Sequence, residues 1–270
     1  MSLLGMKARG LRKRLGPNQA LAGVSLDFSA GLLHGIIGPD GAGKTTLLRA
    51  LVGLLRPDQG EVLYAQEGRP ADFSAVRPFL AYMPQQQSLY PDLSVAEHME
   101  FFRDLYRLPA SVYRPRAEEL LRITRLDKFG DRRAGQLSGG MYKKLGLMCA
   151  LLQSPSVVIL DEPTNGVDPI SRREFWDLLY RLSDQKILVI IATAYMDEAE
   201  RCSRVHLLDS GEVLASGEPR AVLQEAGADR FDDIFIRRAV RKDVRPDGAC
   251  GTSNAAGGAA DAAGGEGTHA

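Results

Sequence analysis

Long apolar runs are missing from this sequence: none approaches the roughly 18 residues that a helix needs to cross a bilayer. Lys7 and Arg9 interrupt any apolar segment near the start, so no secretory-signal pattern forms. The expectation is a chain that is soluble by itself. Cysteine is scarce. Cys149, Cys202 and Cys250 are odd in number, far apart and in no metal-ligand spacing, and they read as free thiols in a reducing cytoplasm. An excess of either charge is absent too, because 34 Lys and Arg balance 34 Asp and Glu. A general nucleic-acid binder is usually basic, so no nucleic-acid partner is expected. The small cluster Lys7, Arg9, Arg12, Lys13 and Arg14 reads as a solvated strand edge. Histidine is limited to His34, His98, His206 and His269, scattered enough to be read as ordinary residues. No internal repeat is visible.

What is present fits a globular α/β chain. Hydrophobic residues make up 44% and charged residues 25% of 270 residues, enough for one large domain or a domain with a subdomain. Residues 2–37 alternate apolar and polar positions and predict short strands, with turns at Gly16-Pro17-Asn18 and Ala30-Gly31. The apolar run from Leu32 to Ile37 leads into Gly38-Pro39-Asp40-Gly41-Ala42-Gly43-Lys44-Thr45-Thr46, and a helix is predicted from Gly43 to about Leu55. Strand, glycine-rich turn and helix in that order identify a phosphate-binding P-loop. The glycines let the backbone approach phosphate oxygens, and successive N–H groups with the helix N-terminus form an anion nest. Lys44 is suited to bridging the β- and γ-phosphates, and Thr45 to placing its hydroxyl on Mg²⁺.

Further strands are predicted at Glu61 to Tyr64 and Phe79 to Met83. Ser94-Val95-Ala96-Glu97 is a capping box opening a helix to about Tyr106, and a second helix covers Arg116 to Arg125. Residues 88–150 thus read as an all-helical insert. Val157 to Leu160 is a fully apolar strand that ends in Asp161-Glu162, where ligands of such sheets bind. Asp161 is suited to holding Mg²⁺ or its water shell, and Glu162 to polarising an attacking water. A helix is predicted over 171–182, a strand from Ile187 to Ile191, a short helix from Met196 to Cys202, and a hairpin from Arg204 to Ala215 turned at Ser210-Gly211. Strands alternating with helices argue for a mostly parallel sheet covered on both faces. Residues 246–270 are mostly Gly, Ala and small polar groups, and a disordered tail is expected there, leaving 1–245 as the folded domain. Ser138 can cap a helix running through Leu152, and Gly139 and Gly140 leave its first N–H groups open, either as a second anion site or as a plain helix start.

Taken together, the order P-loop, helical insert, Leu137-Ser138-Gly139-Gly140 and Val157-to-Glu162 resembles the ATP-binding subunits of ABC transporters over about residues 5–235. The resemblance implies a P-loop NTPase core of three layers, with an N-terminal antiparallel β subdomain and an inserted helical subdomain. It implies ATP and Mg²⁺ as ligands. Gln85 resembles the family's Q-loop glutamine, which senses Mg²⁺ and the γ-phosphate, and Asp168 resembles the acid of the D-loop. The stretches Pro163 to Pro169 and Tyr195 to Glu200 look most like the drug-exporter branch. The family pairs two such subunits head to tail, with ATP between the P-loop of one and the Leu-Ser-Gly-Gly of the other. It drives an integral-membrane permease from the cytoplasmic face of the cell membrane. The implied function is powering export of a drug-like or lipid-like substrate. A cytoplasmic nucleotide switch acting on a partner such as the ribosome is the alternative.

Two departures from the family pattern affect the expectation. Ala194 stands where the family usually has a switch histidine near the γ-phosphate, and Leu15 stands where an aromatic residue stacks on adenine. Met141 replaces a common glutamine. The missing histidine predicts slow hydrolysis at this chain's own P-loop, unless Thr193 or Tyr195 takes over the role.

Overall fold

The computed structural model describes residues 4–86 and 89–243, without the side chains of 241–243. The N-terminal alternation forms a hairpin of two long strands, β1 (Leu4–Leu15) and β2 (Asn18–Phe28). Next come β3 (Leu33–Ile37), α1 (Lys44–Leu51), β4 (Gln59–Gln66), β5 (Arg69–Ala71), a single turn α2 (Phe73–Val76) and β6 (Leu80–Met83). Three helices follow: α3 (Val95–Leu105), α4 (Ala110–Thr124) and α5 (Gly139–Leu151). The chain then runs through β7 (Val157–Asp161), α6 (Pro169–Asp184), β8 (Leu188–Thr193) and a 3₁₀ turn at Met196–Arg201. It closes with the hairpin β9 (Arg204–Asp209) and β10 (Glu212–Gly217), then α7 (Pro219–Ala226) and α8 (Phe231–Asp243).

These strands make two sheets. One is four-stranded and antiparallel, in the order β2-β1-β4-β5; the other is six-stranded, in the order β10-β9-β3-β8-β7-β6, and only β10 runs antiparallel within it. The α/β fold expected for a P-loop NTPase, with its antiparallel β subdomain and helical insert, is the fold found. Every residue of β3, β7 and β8 is buried, as a parallel strand covered on both faces requires. Alternate side chains sort into two cores. Val158, Leu160, Val189 and Ile191 pack with Met148 of α5 and Trp176 of α6. Val157, Ile159, Leu188 and Ile190 pack with Leu47, Leu48 and Leu51 of α1 and with the antiparallel sheet. That alternation produces three layers, and each fully buried aliphatic side chain contributes roughly 1.5–3 kcal/mol.

Local chemistry sets the element ends. Ser94 Oγ accepts from Glu97 N–H at 3.2 Å and Glu97 Oε2 accepts from Ser94 N–H at 2.7 Å, closing the expected capping box of α3. The helix after the P-loop stops at Leu51 rather than Leu55, because Val52 caps it and Gly53 turns the chain with φ 70°. Helix α4 begins at Ala110, well before the expected Arg116, and carries Pro115 inside it. The basic cluster is not at a sheet edge: β1 lies between β2 and β4, so Lys7, Arg12 and Arg14 stand on the solvent face of an interior strand. Two of the cations are paired there, Arg9 with Asp27 at 2.6 Å and Lys13 with Asp58 at 2.7 Å. Among the described residues no helix is long and apolar enough to cross a membrane. The expected tail, Cys250, His269 and the start of the helical insert at 88 lie outside the described residues.

Candidate functional site

Residues 38–43 turn between the end of β3 and the start of α1. Gly38 N–H donates to Thr193 O at 3.3 Å and Gly211 N–H donates to Ala42 O at 2.9 Å, which pins the loop to β8 and to the β9–β10 turn. Gly43 caps α1 at φ 103°, and a Cβ there would strike Ala20 O, so only glycine fits. Lys44 is the first residue of α1, and its side chain is only 4% exposed. Its ammonium donates to Gly38 O at 2.8 Å and Pro39 O at 3.0 Å and lies 3.3 Å from Glu162 Oε1.

The two acids after the apolar strand face different partners. Asp161 ends β7; its Oδ1 accepts from Thr45 Oγ1 at 3.1 Å and its Oδ2 from Tyr82 Oη at 3.3 Å. Burial raises its carboxyl above the usual range, and burial likewise pushes the Tyr82 phenol up to about 12. Glu162 takes a left-handed φ of 47°, a conformation that costs a non-glycine residue roughly 1–3 kcal/mol. That turn, fixed by Glu162 N–H donating to Ala192 O at 2.9 Å, swings its carboxylate away from Asp161. Glu162 Oε2 accepts from Gln85 Nε2 at 2.8 Å and from Asn165 Nδ2 at 3.4 Å. A cavity of about 480 Å³ runs from Leu15, Asn18 and Ala20 past residues 40–46 to Gln85 and Glu162.

The donor set suits a hard divalent cation. Thr45 and Asp161 supply neighbouring oxygens, and Asp161 is a buried carboxylate with no Lys or Arg partner within 4.0 Å among the described residues. No cluster of three His, Cys, Asp or Glu side chains exists among the described residues, so such an ion would draw its remaining ligands from phosphate and water. Gln85 turns its amide nitrogen to Glu162, which leaves its oxygen as the atom able to meet a cation.

Ser138, Gly139, Gly140 and Asp168 stand apart from this cavity; none of them lines it. Ser138 caps α5, accepting from Met141 N–H at 3.4 Å. A Cβ on Gly140 would collide with Ser171, and one on Gly139 would touch Gly166 O at 3.4 Å, so the start of α5 packs on the 166–171 segment. Asp168 caps α6 by accepting from Ser171 N–H at 2.9 Å, a bond that holds its carboxyl below the usual range. Helix α5 also grips the segment around Gln85: Lys143 Nζ donates to Gln85 O at 3.0 Å and Tyr142 Oη accepts from Leu89 N–H at 3.1 Å.

The described histidines all have internal partners and none lines the cavity. His98 bonds Ser94 O at 2.9 Å and Tyr90 N–H at 3.0 Å, while His34 and His206 bond each other at 3.0 Å. Leu15, 48% exposed, lines the cavity. Sequence reasoning missed Tyr82, whose only signal was a hydroxyl inside an otherwise apolar strand. It gave Asn165 no role beyond membership of its loop.

The profile of the ABC transporter family matches residues 21–165, which include the P-loop, Leu137 to Gly140, and Asp161-Glu162. The chain is 43% identical over 224 residues to the probable multidrug ABC transporter ATP-binding protein YbhF of Escherichia coli (strain K12), covering 82% of this chain and 39% of that protein. It therefore spans well under half the length of that relative. It is 38% identical over 231 residues to the daunorubicin resistance ATP-binding protein DrrA3 of Streptomyces coeruleorubidus, covering 85% of this chain and 73% of that one. A solved ATP-binding subunit of an ABC transporter superposes with a TM-score of 0.75 at 26% identity, covering 87% of this chain and 99% of the other. By its motifs, its fold and these relatives, the chain belongs to the ABC transporter family, among its ATP-binding proteins.

Proposed function

We propose that the chain binds and hydrolyses ATP to power export of a drug-like or lipid-like substrate through a separate membrane permease, working at the cytoplasmic face of the membrane. The observation that carries this reading is the convergence of Lys44, Thr45, Gln85 and Glu162 on one cavity whose other end is walled by Leu15, with Asp161 buried behind Thr45. In this reading residues 38–46 cradle the phosphates through backbone N–H groups and the N-terminus of α1. Lys44 exchanges its contact with Glu162 for phosphate oxygens. Thr45, Asp161 and Gln85 would hold Mg²⁺, which supplies charge neutralisation between the β- and γ-phosphates. Glu162, a carboxylate beside the same lysine, orients and polarises the attacking water.

Ser138, Gly139 and Gly140 serve a second subunit's nucleotide, which accounts for their absence from this chain's own cavity. Asp168 lies beside them, at the start of the helix their backbone packs on, and belongs to the same interface. The helical insert, with Gln85 at its edge, couples the site to the permease. A groove of about 650 Å³ between β6 and the insert, lined by Leu54, Tyr82, Leu89, Phe102 and Tyr106, offers an apolar seat for a permease helix.

Two measurements test the proposal. Purified chain should turn over ATP, Glu162→Gln should lower turnover at least a hundredfold while keeping ATP affinity, and Lys44→Ala should lose affinity. The chain should co-purify in detergent with a multi-span membrane protein, and Leu54→Asp with Phe102→Asp should release it. Wild-type turnover equal to that of Glu162→Gln would refute the ATPase reading; sedimentation with ribosomes instead of a membrane partner would refute the transport reading.

A further inference from the structure

At the end of β8 the chain reads Thr193-Ala194-Tyr195, and the Ala194 side chain is a methyl that can position nothing by hydrogen bonding. Its neighbour can. Tyr195 is fixed at both ends. Its N–H donates to Thr193 Oγ1 at 3.0 Å, and the guanidinium of Arg172 lies over its ring, 4.3 Å from the centroid. Arg172 Nε is buried without a hydrogen-bond partner, and the guanidinium sits 3.9 Å from Asp197 and 4.0 Å from Glu198. The ring and the two acids, rather than hydrogen bonds at Nε, hold that cation in place.

The fixed ring aims its hydroxyl at Asn165. Tyr195 Oη donates to Asn165 Oδ1 at 3.3 Å, and Asn165 Nδ2 donates to Glu162 Oε2 at 3.4 Å. Chemistry dictates this order of atoms. A carboxylate can only accept, so Glu162 must face the amide nitrogen, and the amide oxygen is left for the phenolic proton. A second tie runs alongside: Thr164 Oγ1 donates to Glu198 Oε2 at 3.1 Å, and Glu198 Oε1 accepts from Trp176 Nε1 at 3.1 Å. Residues 195–198 therefore hold residues 162–165 at two points.

We propose that Tyr195 is a positioning residue for ATP hydrolysis, acting through Asn165 on the carboxylate of Glu162. The proposal rests on the ATPase reading above. Among the described residues the side chains of Lys44, Gln85 and Asn165 bond or pair with Glu162, and Lys44 and Gln85 are also required by phosphate and cation in that reading. Asn165 has no such duty in that reading, and its side-chain oxygen is held by Tyr195. The relay supplies from position 195 what Ala194 lacks.

The test uses purified full-length chain and the variants Tyr195→Phe, Asn165→Ala, their combination, and Ala194→His added to Tyr195→Phe. Removing one positioning bond worth about 1.4 kcal/mol lowers kcat about tenfold. Tyr195→Phe and Asn165→Ala should each show that loss, with KM and the equilibrium affinity for a fluorescent ATP analogue within about twofold of wild type. The double variant should be no slower than the slower single one, because both break one relay. Ala194→His should restore at least half of the lost turnover. Melting temperatures should stay within about 2 °C, which separates positioning from folding. Brisk wild-type turnover that Tyr195→Phe leaves unchanged, or losses that multiply in the double variant, would overturn the relay alone. Wild-type turnover no faster than Glu162→Gln would overturn the ATPase reading and the relay with it.

Discussion

The pair His34 and His206 should make this fold sensitive to mild acid. The rings lie edge to edge in nearly one plane, with centroids 5.3 Å apart and planes within 3°, and Phe28 meets both at a steep angle. Ser29 N–H donates to His34 Nε2 at 3.1 Å, so His34 must carry its proton on Nδ1 and donate it to His206 Nε2 at 3.0 Å. His206 in turn donates from Nδ1 to Ser216 Oγ at 2.7 Å. This chain of bonds works only with both imidazoles neutral. Burial lowers His34 from 6.5 to about 4, and burial, then the nearby His34 and Arg204, lower His206 from 6.5 to about 3. In the unfolded chain both titrate near 6.5. Their contribution is therefore fully present above about pH 6.5 and is lost as pH falls toward the folded values. At pH 5 each ring costs the folded state about 2 kcal/mol, about 4 kcal/mol for the pair, a large share of a typical stability of roughly 5–15 kcal/mol. Thermal melts should show a fall of roughly 10 °C between pH 7.5 and pH 5. His34→Gln with His206→Gln should remove more than half of that fall, at the expense of a lower melting temperature at pH 7.5. An undiminished fall in the double variant, or a resonance assigned to His34 or His206 that titrates near 6.5 in the folded protein by NMR, would refute the reasoning.

Three further expectations are simpler. Leu15→Tyr should restore stacking at the mouth of the cavity and tighten ATP affinity about three- to tenfold in equilibrium fluorescence titrations. Gly140→Val should drive α5 off Ser171, lowering stability by about 1–3 kcal/mol in denaturant melts and abolishing turnover while ATP still binds at the P-loop. Ser94→Ala should remove the cap of α3 and cost about 1 kcal/mol in the same melts, with ATP affinity unchanged.

The parts of the fold that were legible were those whose residues answer to their own neighbours. Val157 to Leu160 read as a covered strand because a parallel strand buried on both faces admits only apolar side chains. The switch to Asp161-Glu162 marks where that strand meets solvent and ligand. The capping box at Ser94 closes within four residues and needs nothing else. Position within a sheet has no such local signature. The basic residues of β1 look the same whether the strand is central or at an edge, since one face is solvated in both cases. Pro115 hid the first half of α4, because proline reads as a breaker even where neighbouring packing tolerates it. β5 and α2 are too short to show any period. At the site, the P-loop and the two acids are contiguous motifs, whereas the contacts of Glu162 with Gln85 and of Asn165 with Tyr195 join residues far apart in sequence and exist only once β6, β7 and β8 lie side by side.

The short stretch from Asp161 to Asp168 faces two ways. The left-handed turn at Glu162 is what allows adjacent acids to serve different partners, Asp161 the hydroxyls of Thr45 and Tyr82, Glu162 the ammonium of Lys44 and the amide nitrogen of Gln85. A few residues later the same stretch reaches the start of α5, where Val167 and Gly166 lie against Gly140 and Gly139. In the dimer proposed above, Gly139 and Gly140 would meet the other subunit's nucleotide, so this one segment would lie beside both nucleotide sites. Its anchors are the Glu198 carboxylate on Thr164 and the Tyr195 hydroxyl on Asn165. A displacement of α5 in such a dimer would therefore have a route of only a few bonds to Glu162. In that dimer, hydrolysis at one site would depend on occupancy of the other through these bonds alone.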